Sequence, residues 1–267
     1  MFDGKIARFS TVYGAIPEPT SEQAMTDTVT TSGSSSASKN LFARLIGVIT
    51  SPKDTFADVA RAPRWFGMLA VTTVAAAVFT ALPLTTDAGR QSALEQQVQQ
   101  MKSFGFDVND QMYEQMERRA GMMPYTTAGG VLVVGTIVAV IASGILFAVF
   151  NAGLGGTASF KQLFSVFVHA GVISTLSAVF SGALNYFRGT MSSVSNLSAL
   201  LPMVPETSFV GHLLAAIDIF LIWYVFVLAL GLAVLYRRRT QPIAITLFSI
   251  YGVIAIVIAL VKTRLGG

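Results

Sequence analysis

Five segments of this chain are each long enough to cross a lipid bilayer as a helix, and they limit the fold more than any other feature. They cover residues 65–84, 128–150, 160–184, 210–235 and 242–261. A crossing helix needs about 20 mostly apolar residues. Apolar residues are continuous in each segment and do not alternate with polar ones, which indicates helices rather than strands of a barrel. The sequence therefore predicts an all-α membrane protein, with a five-span helix bundle over residues 65–262.

The charge of the chain fits this class of protein. Only 12% of its 267 residues are charged, about half the share found in soluble domains. The net charge of +4 comes from basic residues at the ends of the apolar segments, so it indicates membrane topology rather than nucleic-acid binding. The chain contains no cysteine, which excludes disulfides and thiolate chemistry.

The distribution of lysine and arginine predicts the orientation, because cytoplasmic loops are enriched in both. Loop 85–127 has 4 basic and 6 acidic residues, and the only basic residue of loop 185–209 is Arg188. Lys262 and Arg264 oppose this assignment, but the preceding loop carries three arginines. We therefore expect a multi-pass protein of the cell (inner) membrane, with its N-terminus cytoplasmic and its C-terminus external. The basic residues assigned to the cytoplasm are Lys53, Arg61, Arg64, Lys161, Arg237, Arg238 and Arg239.

Three segments are expected to lie outside the bilayer. Residues 1–40 are Ser-rich near their end and lack the apolar core of a signal peptide, so they are expected to form a disordered cytoplasmic tail. Residues 41–64 are expected to form two amphipathic helices at the interface, the second starting at "SPKDTF", residues 51–56. Loop 85–127 is expected to form two external helices.

The string "LFARLIGVITSPKDTFADVARAPRWFG", followed by the apolar segments, resembles the bacterial branch of the Yip-one (Ypt/Rab-interacting protein) membrane family. The strings "GGTASFKQLFSVFVHAG" and "DIFLIWYVFVLALGL" add to the resemblance, which covers residues 41–261. It implies a five-helix bundle with a cytoplasmic N-terminus and an external C-terminus. Eukaryotic relatives are associated with Rab GTPases and vesicle traffic. For a chain of the bacterial branch, this association identifies no partner. The family supplies no catalytic residues.

His169 and Asp218 are the candidate intramembrane polar site. Ionisable residues inside a span are functional candidates by default. Counting from the span ends places both side chains near the midplane, about one helical turn apart. They form either a proton or ion relay or a hydrogen bond between helices. The second interpretation is favoured, because transporters usually carry internal repeats or broken helices around such a site.

Other chemistry finds little support in the sequence. Five methionines of loop 85–127 are compatible with Cu(I), but no cysteine or histidine joins them, so packing is favoured and no metal site is expected. There is no zinc-protease motif, nucleophile elbow or phosphate loop. Asp218 is the only acidic residue within a span, which excludes a two-aspartate protease. A Ser–His dyad is left open, because the chain has many serines and two histidines.

These observations predict a non-enzymatic protein for interaction or membrane organisation, with no catalytic residue and no cofactor. Its expected partners are the lipid bilayer and unidentified proteins, including further copies of itself. We expect neither nucleic acid nor a small-molecule substrate as a partner. The alternative is a small transporter or channel component that uses His169 and Asp218.

Overall fold

A computed structural model describes residues 38–201, 203–205 and 207–265. Helices supply the secondary structure of this part of the chain, apart from one isolated β-bridge, which confirms the predicted all-α class. Most of the tail predicted at residues 1–40 lies outside the described residues. The α-helices are α1 (Leu41–Thr50), α2 (Pro52–Arg61), α3 (Phe66–Ala81), α4 (Asp87–Ser103), α5 (Asp110–Arg119), α6 (Met123–Phe147), α7 (Phe160–Ala170), α8 (Val172–Arg188), α9 (Leu197–Leu200), α10 (Phe209–Ala216), α11 (Ile219–Leu235) and α12 (Thr240–Leu265).

Four helical stretches of the described residues are long and apolar enough to cross a membrane. Two of them join consecutive helices, since α7 and α8 are separated only by Gly171, and α5 and α6 only by one 3₁₀ turn. Helix α11 is strongly apolar but has only 17 residues, fewer than the others. The four stretches are Phe66–Thr85, Asp110–Gly153, Phe160–Arg188 and Thr240–Arg264.

The span predicted at residues 210–235 is not one continuous helix, and the structure corrects the sequence at this point. Helix α10 ends at Ala216, the backbone is extended at Ile217 and Asp218, and α11 begins at Ile219. Asp218 causes the break because its short side chain bonds the free amides at the start of α11 and so competes with a continuing helix. The span was predicted from its apolarity alone, and apolarity gives no sign of this interruption.

Helices α1 and α2 form a hairpin that is part of the hydrophobic core. Val48, Phe56 and Val59 are completely buried, together with residues of α7 and α11. The opposite face of α1 is apolar and exposed, with Phe42 at 69% and Ile46 at 43% exposure. Residues three and four apart lie on one face of a helix, so α1 has one face for the bundle and one for its surroundings.

The bundle has two chemically different ends. At the first, here called the basic end, lie Lys53, Lys161 and Arg237, Arg238 and Arg239. Its elements are tied together, since Arg238 Nη2 donates to the Leu154 carbonyl at 3.0 Å and Gln162 Nε2 donates to the Ala60 carbonyl at 3.0 Å.

At the opposite end, α4 packs beside the segment that follows α8. Gln96 Nε2 donates to the Met191 carbonyl at 2.7 Å. Helix α12 runs from the basic end to this end, where the Lys262 ammonium lies 5.8 Å from the centroid of the Phe104 ring. The basic residues near the C-terminus are therefore separated from the arginines of the α11–α12 loop by the length of α12, about 35 Å.

Candidate functional site

The α1–α2 hairpin is held at the basic end by a buried ion pair. Arg44 Nε donates to Asp58 Oδ2 at 2.8 Å, with the two side chains only 2% and 7% exposed. Arg44 Nη2 also donates to the Ala62 carbonyl at 2.9 Å and to Ser38 Oγ at 3.2 Å. Removing one partner of a buried pair leaves an uncompensated charge, which is strongly destabilising. The pair therefore fixes the hairpin in a single arrangement.

His169 lies at the end of α7, completely buried next to this hairpin. Its Nδ1 lies 2.7 Å from the Ser165 carbonyl, which only accepts hydrogen bonds, so we assign the proton of the neutral ring to Nδ1. Among the described residues, no side chain bonds His169 Nε2, Ser165 Oγ or Arg44 Nη1, although all three atoms are buried.

Asp218 is engaged at the break between α10 and α11. Its Oδ1 accepts from the amides of Phe220 at 2.8 Å and Leu221 at 3.0 Å, as an N-cap residue does. Its other carboxylate oxygen accepts from the Ser195 hydroxyl. The break is supported further by two backbone bonds, from the Leu197 amide to the Ile217 carbonyl at 2.9 Å and from the Ile219 amide to the Ser195 carbonyl at 3.1 Å.

The structure does not bring His169 and Asp218 together. Phe167, close to His169, contacts Tyr224 with ring centroids 6.1 Å apart, whereas Phe220, next to Asp218, contacts Phe180 at 5.6 Å. Phe180 follows His169 by 11 residues, which corresponds to about 16 Å along a helix. Each candidate residue therefore has its own hydrogen-bond partners, at its own level of the bundle.

A second polar arrangement lies at the basic end, where the α6–α7 segment meets the α11–α12 loop. The Tyr236 hydroxyl donates to Asn151 Oδ1 at 2.7 Å, and Asn151 Nδ2 donates to the Ala158 carbonyl at 2.6 Å. The Tyr236 ring stacks on Phe150 with centroids 5.0 Å apart. A tyrosine hydroxyl is protonated at neutral pH and so can donate, and burial raises the pKa of Tyr236 further.

Gly156 is required beside this tyrosine. A β-carbon at Gly156 would collide with the Tyr236 ring and would lie 2.8 Å from the Phe150 carbonyl oxygen. Next to the ring, Arg237 adopts a left-handed backbone conformation with φ of 52°. Its guanidinium is exposed and forms no hydrogen bond or ion pair with any described residue.

Sequence reasoning identified His169 and Asp218 but missed the Arg44–Asp58 pair and the Tyr236–Asn151 contact. One signal for the ion pair is present in α1, because Arg44, Gly47 and Val48 share a helical face opposite the apolar residues Phe42, Ile46 and Ile49. No comparable pattern marks Tyr236 and Asn151, which are 85 residues apart. Among the described residues, no group of three or more His, Cys, Asp or Glu side chains is arranged to hold a metal ion.

Comparison with known proteins identifies the family. The model of the Yip1 domain matches residues 46–261. The membrane protein YknW of Bacillus subtilis (strain 168) is 25% identical over 225 residues, which are 83% of this chain and 92% of YknW. No solved structure matches the chain. The family match begins within α1 and covers α2, the apolar helices and the basic α11–α12 loop, and the chain is therefore a membrane protein that belongs to the Yip1 domain family.

Proposed function

We propose that this protein is a non-enzymatic interaction or membrane-organising protein, and that its basic end is the docking surface for other proteins. One observation carries the proposal: the α1–α2 hairpin is built into the core through Phe56 and the Arg44–Asp58 pair, so it holds a rigid surface at the basic end. Arg237 and Arg239 are exposed on this surface, and no described residue neutralises either of them. Exposed cations on a rigid scaffold favour a partner with acidic groups.

The proposed topology has five crossings, with α10 and α11 together as the fourth. The basic end then faces the cytoplasm, and the C-terminus is external, in the cell (inner) membrane. Two features support this orientation: the arginines of the α11–α12 loop satisfy the positive-inside rule, and Lys262 lies beside Phe104 of the opposite end. Helix α1 then lies in the cytoplasmic interface, with Phe42 and Ile46 toward the lipid.

Transport through His169 and Asp218 is the less supported alternative. A relay needs neighbouring groups, and the two side chains lie at different levels of the bundle. Both carboxylate oxygens of Asp218 have partners that explain its position as a helix cap. The Asp218→Asn variant tests this alternative. Asparagine retains the capping oxygen, so a loss of solute flux with an unchanged fold would support transport and contradict the docking proposal.

Co-purification from native membranes tests the docking proposal. The double variant Arg237→Gln with Arg239→Gln removes two exposed charges, while Arg238 keeps its bond to Leu154. The matched control is Arg118→Gln with Arg119→Gln, two exposed arginines of α5. We expect partners to be lost from the first variant and retained by the second. Equal retention in both variants would overturn the proposal.

A truncation that tests the N-terminal tail has to end before the α1–α2 hairpin. Deleting residues 1–61 would remove Val48, Phe56 and Val59 from the core, so any lost interaction would reflect unfolding. Deleting residues 1–37 leaves every described residue in place. If that shorter truncation abolishes all partners while the arginine variant retains them, the docking surface lies in the tail and not in the basic end.

A further inference from the structure

A long apolar groove runs between α11 and α12 on the outside of the bundle. It consists of two adjoining cavities of about 720 Å³ and 540 Å³, which share Phe226 and Phe248. The first cavity reaches Lys53, Gln241 and Ala244, and the second reaches Trp223. These six residues define what is here called the α11–α12 groove. Along α11 the groove extends from Leu230 to Ile219, about 17 Å at the rise of a helix.

The two ends of the groove differ in chemistry. Beyond Phe226, its walls are isoleucine, phenylalanine and tryptophan side chains. At the basic end, the lining residues include Lys53, Thr240 and Gln241, whose side chains are polar. Lys53 is exposed and has no hydrogen bond or ion pair with any described residue. The groove thus has a cationic, hydrogen-bonding mouth and an apolar interior.

We propose that the α11–α12 groove binds one acyl chain of an anionic phospholipid, and that Lys53 pairs with its headgroup. The positive charge of Lys53 at one end of an apolar groove is complementary to the phosphate at one end of a phospholipid acyl chain. A phospholipid places a phosphate next to the start of an acyl chain, which is the same order of groups that the groove presents from Lys53 to Trp223. A headgroup with net negative charge neutralises the Lys53 ammonium. A zwitterionic headgroup does so less well, because it carries its own cation next to the phosphate.

This site adjoins the docking surface proposed above and includes Lys53 of the basic end, but it needs only the bilayer and no protein partner. A second copy of the chain or a partner helix would also cover the apolar walls. Such an occupant would have to supply an acidic group for Lys53, whereas the membrane provides acidic headgroups at that depth. Lipid is therefore the occupant to which the groove is assigned.

Tryptophan fluorescence gives a direct test, because the chain has only two tryptophans and one of them lines the groove. In the Trp65→Phe variant, Trp223 is the sole emitter. Trp223 precedes Leu230 along α11 and lies about 10 Å from it toward the apolar end of the groove, at the depth of the middle of an acyl chain. The variant is reconstituted into vesicles of unlabelled phosphatidylcholine. One sample contains a small fraction of phosphatidylglycerol that is brominated in mid-chain, and a second sample contains the same fraction of phosphatidylcholine that is brominated in mid-chain. Only a lipid whose chain reaches Trp223 quenches it, so free phosphate gives no signal.

We expect brominated phosphatidylglycerol to bind beside Trp223 about fivefold better than brominated phosphatidylcholine, the contribution of one lysine at an anionic surface. Lys53→Gln in the same background should lower this preference to about 1. Lys161→Gln removes an exposed lysine of the same end that does not line the groove, and it should leave the preference unchanged. Equal quenching by the two lipids, or an equal loss in both lysine variants, would overturn the proposal.

Filling the groove tests the position of the acyl chain separately from the headgroup. Ala244→Phe and Ser249→Phe each add a ring to a groove-lining residue, and both should reduce quenching by brominated phosphatidylglycerol. Ile254→Phe, on an exposed face of α12 away from the groove, is the matched control and should not. If both filling variants bind the lipid like the control, or if neither brominated lipid quenches Trp223, the groove does not hold lipid and the proposal is wrong.

Discussion

Gly231 of α11 lies directly against the ring of Phe56 of α2. A β-carbon at Gly231 would be 3.0 Å from Phe56 Cδ1 and 2.7 Å from Val166 Cγ1. Phe56 is completely buried, and it belongs to the short helix that begins after Ser51. A segment that precedes the first apolar span therefore contributes to the centre of the bundle.

Gly231→Ala should destabilise the protein by about 1–3 kcal/mol, because the added methyl group overpacks the contact between Phe56 and Val166. Thermal unfolding in detergent measures the change. Gly135→Ala is the control, since a β-carbon there meets nothing within 4 Å, and it should be neutral or stabilise α6 by up to about 1 kcal/mol. Val166→Ala in the Gly231→Ala background should restore part of the loss. Equal effects at the two glycines would contradict the close packing of the hairpin.

Asp58→Ala should cost about 3–5 kcal/mol of unfolding free energy, because it leaves the buried Arg44 guanidinium without its carboxylate. Replacing both partners, as in Arg44→Met with Asp58→Leu, should recover most of that stability, since no uncompensated charge is left. The comparison is the exposed pair of Arg118 and Glu114, for which Glu114→Ala should change stability by about 0–1 kcal/mol. Similar costs for the two single substitutions would show that the Arg44–Asp58 pair is not buried.

Asp218→Ala should remove the N-cap of α11 and cost about 0.5–2 kcal/mol, whereas Asp218→Asn should cost little because asparagine caps equally well. Amide hydrogen exchange at Phe220 and Leu221 reports the cap directly, since both amides donate to Asp218 Oδ1. Faster exchange is expected in the alanine variant alone. Unchanged exchange in Asp218→Ala would mean that the side chain does not hold the break, and would leave its position unexplained.

Tyr236→Phe should cost about 0.5–1.5 kcal/mol through loss of the hydrogen bond to Asn151. Limited proteolysis between residues 151 and 159 should become faster, because Asn151 anchors that segment to Tyr236 and Ala158. Gly156→Ala should have the same effect through its collision with the Tyr236 ring. Tyr125→Phe, at a side chain that is 73% exposed, is the control. Proteolysis at the control rate in both test variants would contradict this arrangement.

The sequence was sufficient to predict the class of the protein, because crossing helices depend mainly on length and apolarity. It was also sufficient to place a helix start at Ser51 and Pro52, where α2 begins. The break at Asp218 was not predicted, because a lone aspartate in an apolar segment is equally compatible with a helix break and with a polar group inside a continuous helix. What decided its role was a long-range contact with Ser195.

The buried ion pair shows a second limit of sequence reasoning. Within the interfacial helices predicted at residues 41–64, nothing marks Arg44 as buried, since basic residues are common next to a first span. Its burial depends on Asp58, 14 residues later, and on the way α2 folds back over α1. Periodicity assigns residues to faces of a helix, but it does not show which face meets another helix and which meets lipid.

In-cell photocrosslinking can show whether the basic end is the docking surface for other proteins. A photoreactive amino acid is placed at Arg239 in the α11–α12 loop and, in a separate variant, at Arg119 of α5, both exposed positions. We expect protein adducts from position 239 and none above background from position 119. Adducts from position 119 together with none from position 239 would contradict the docking proposal.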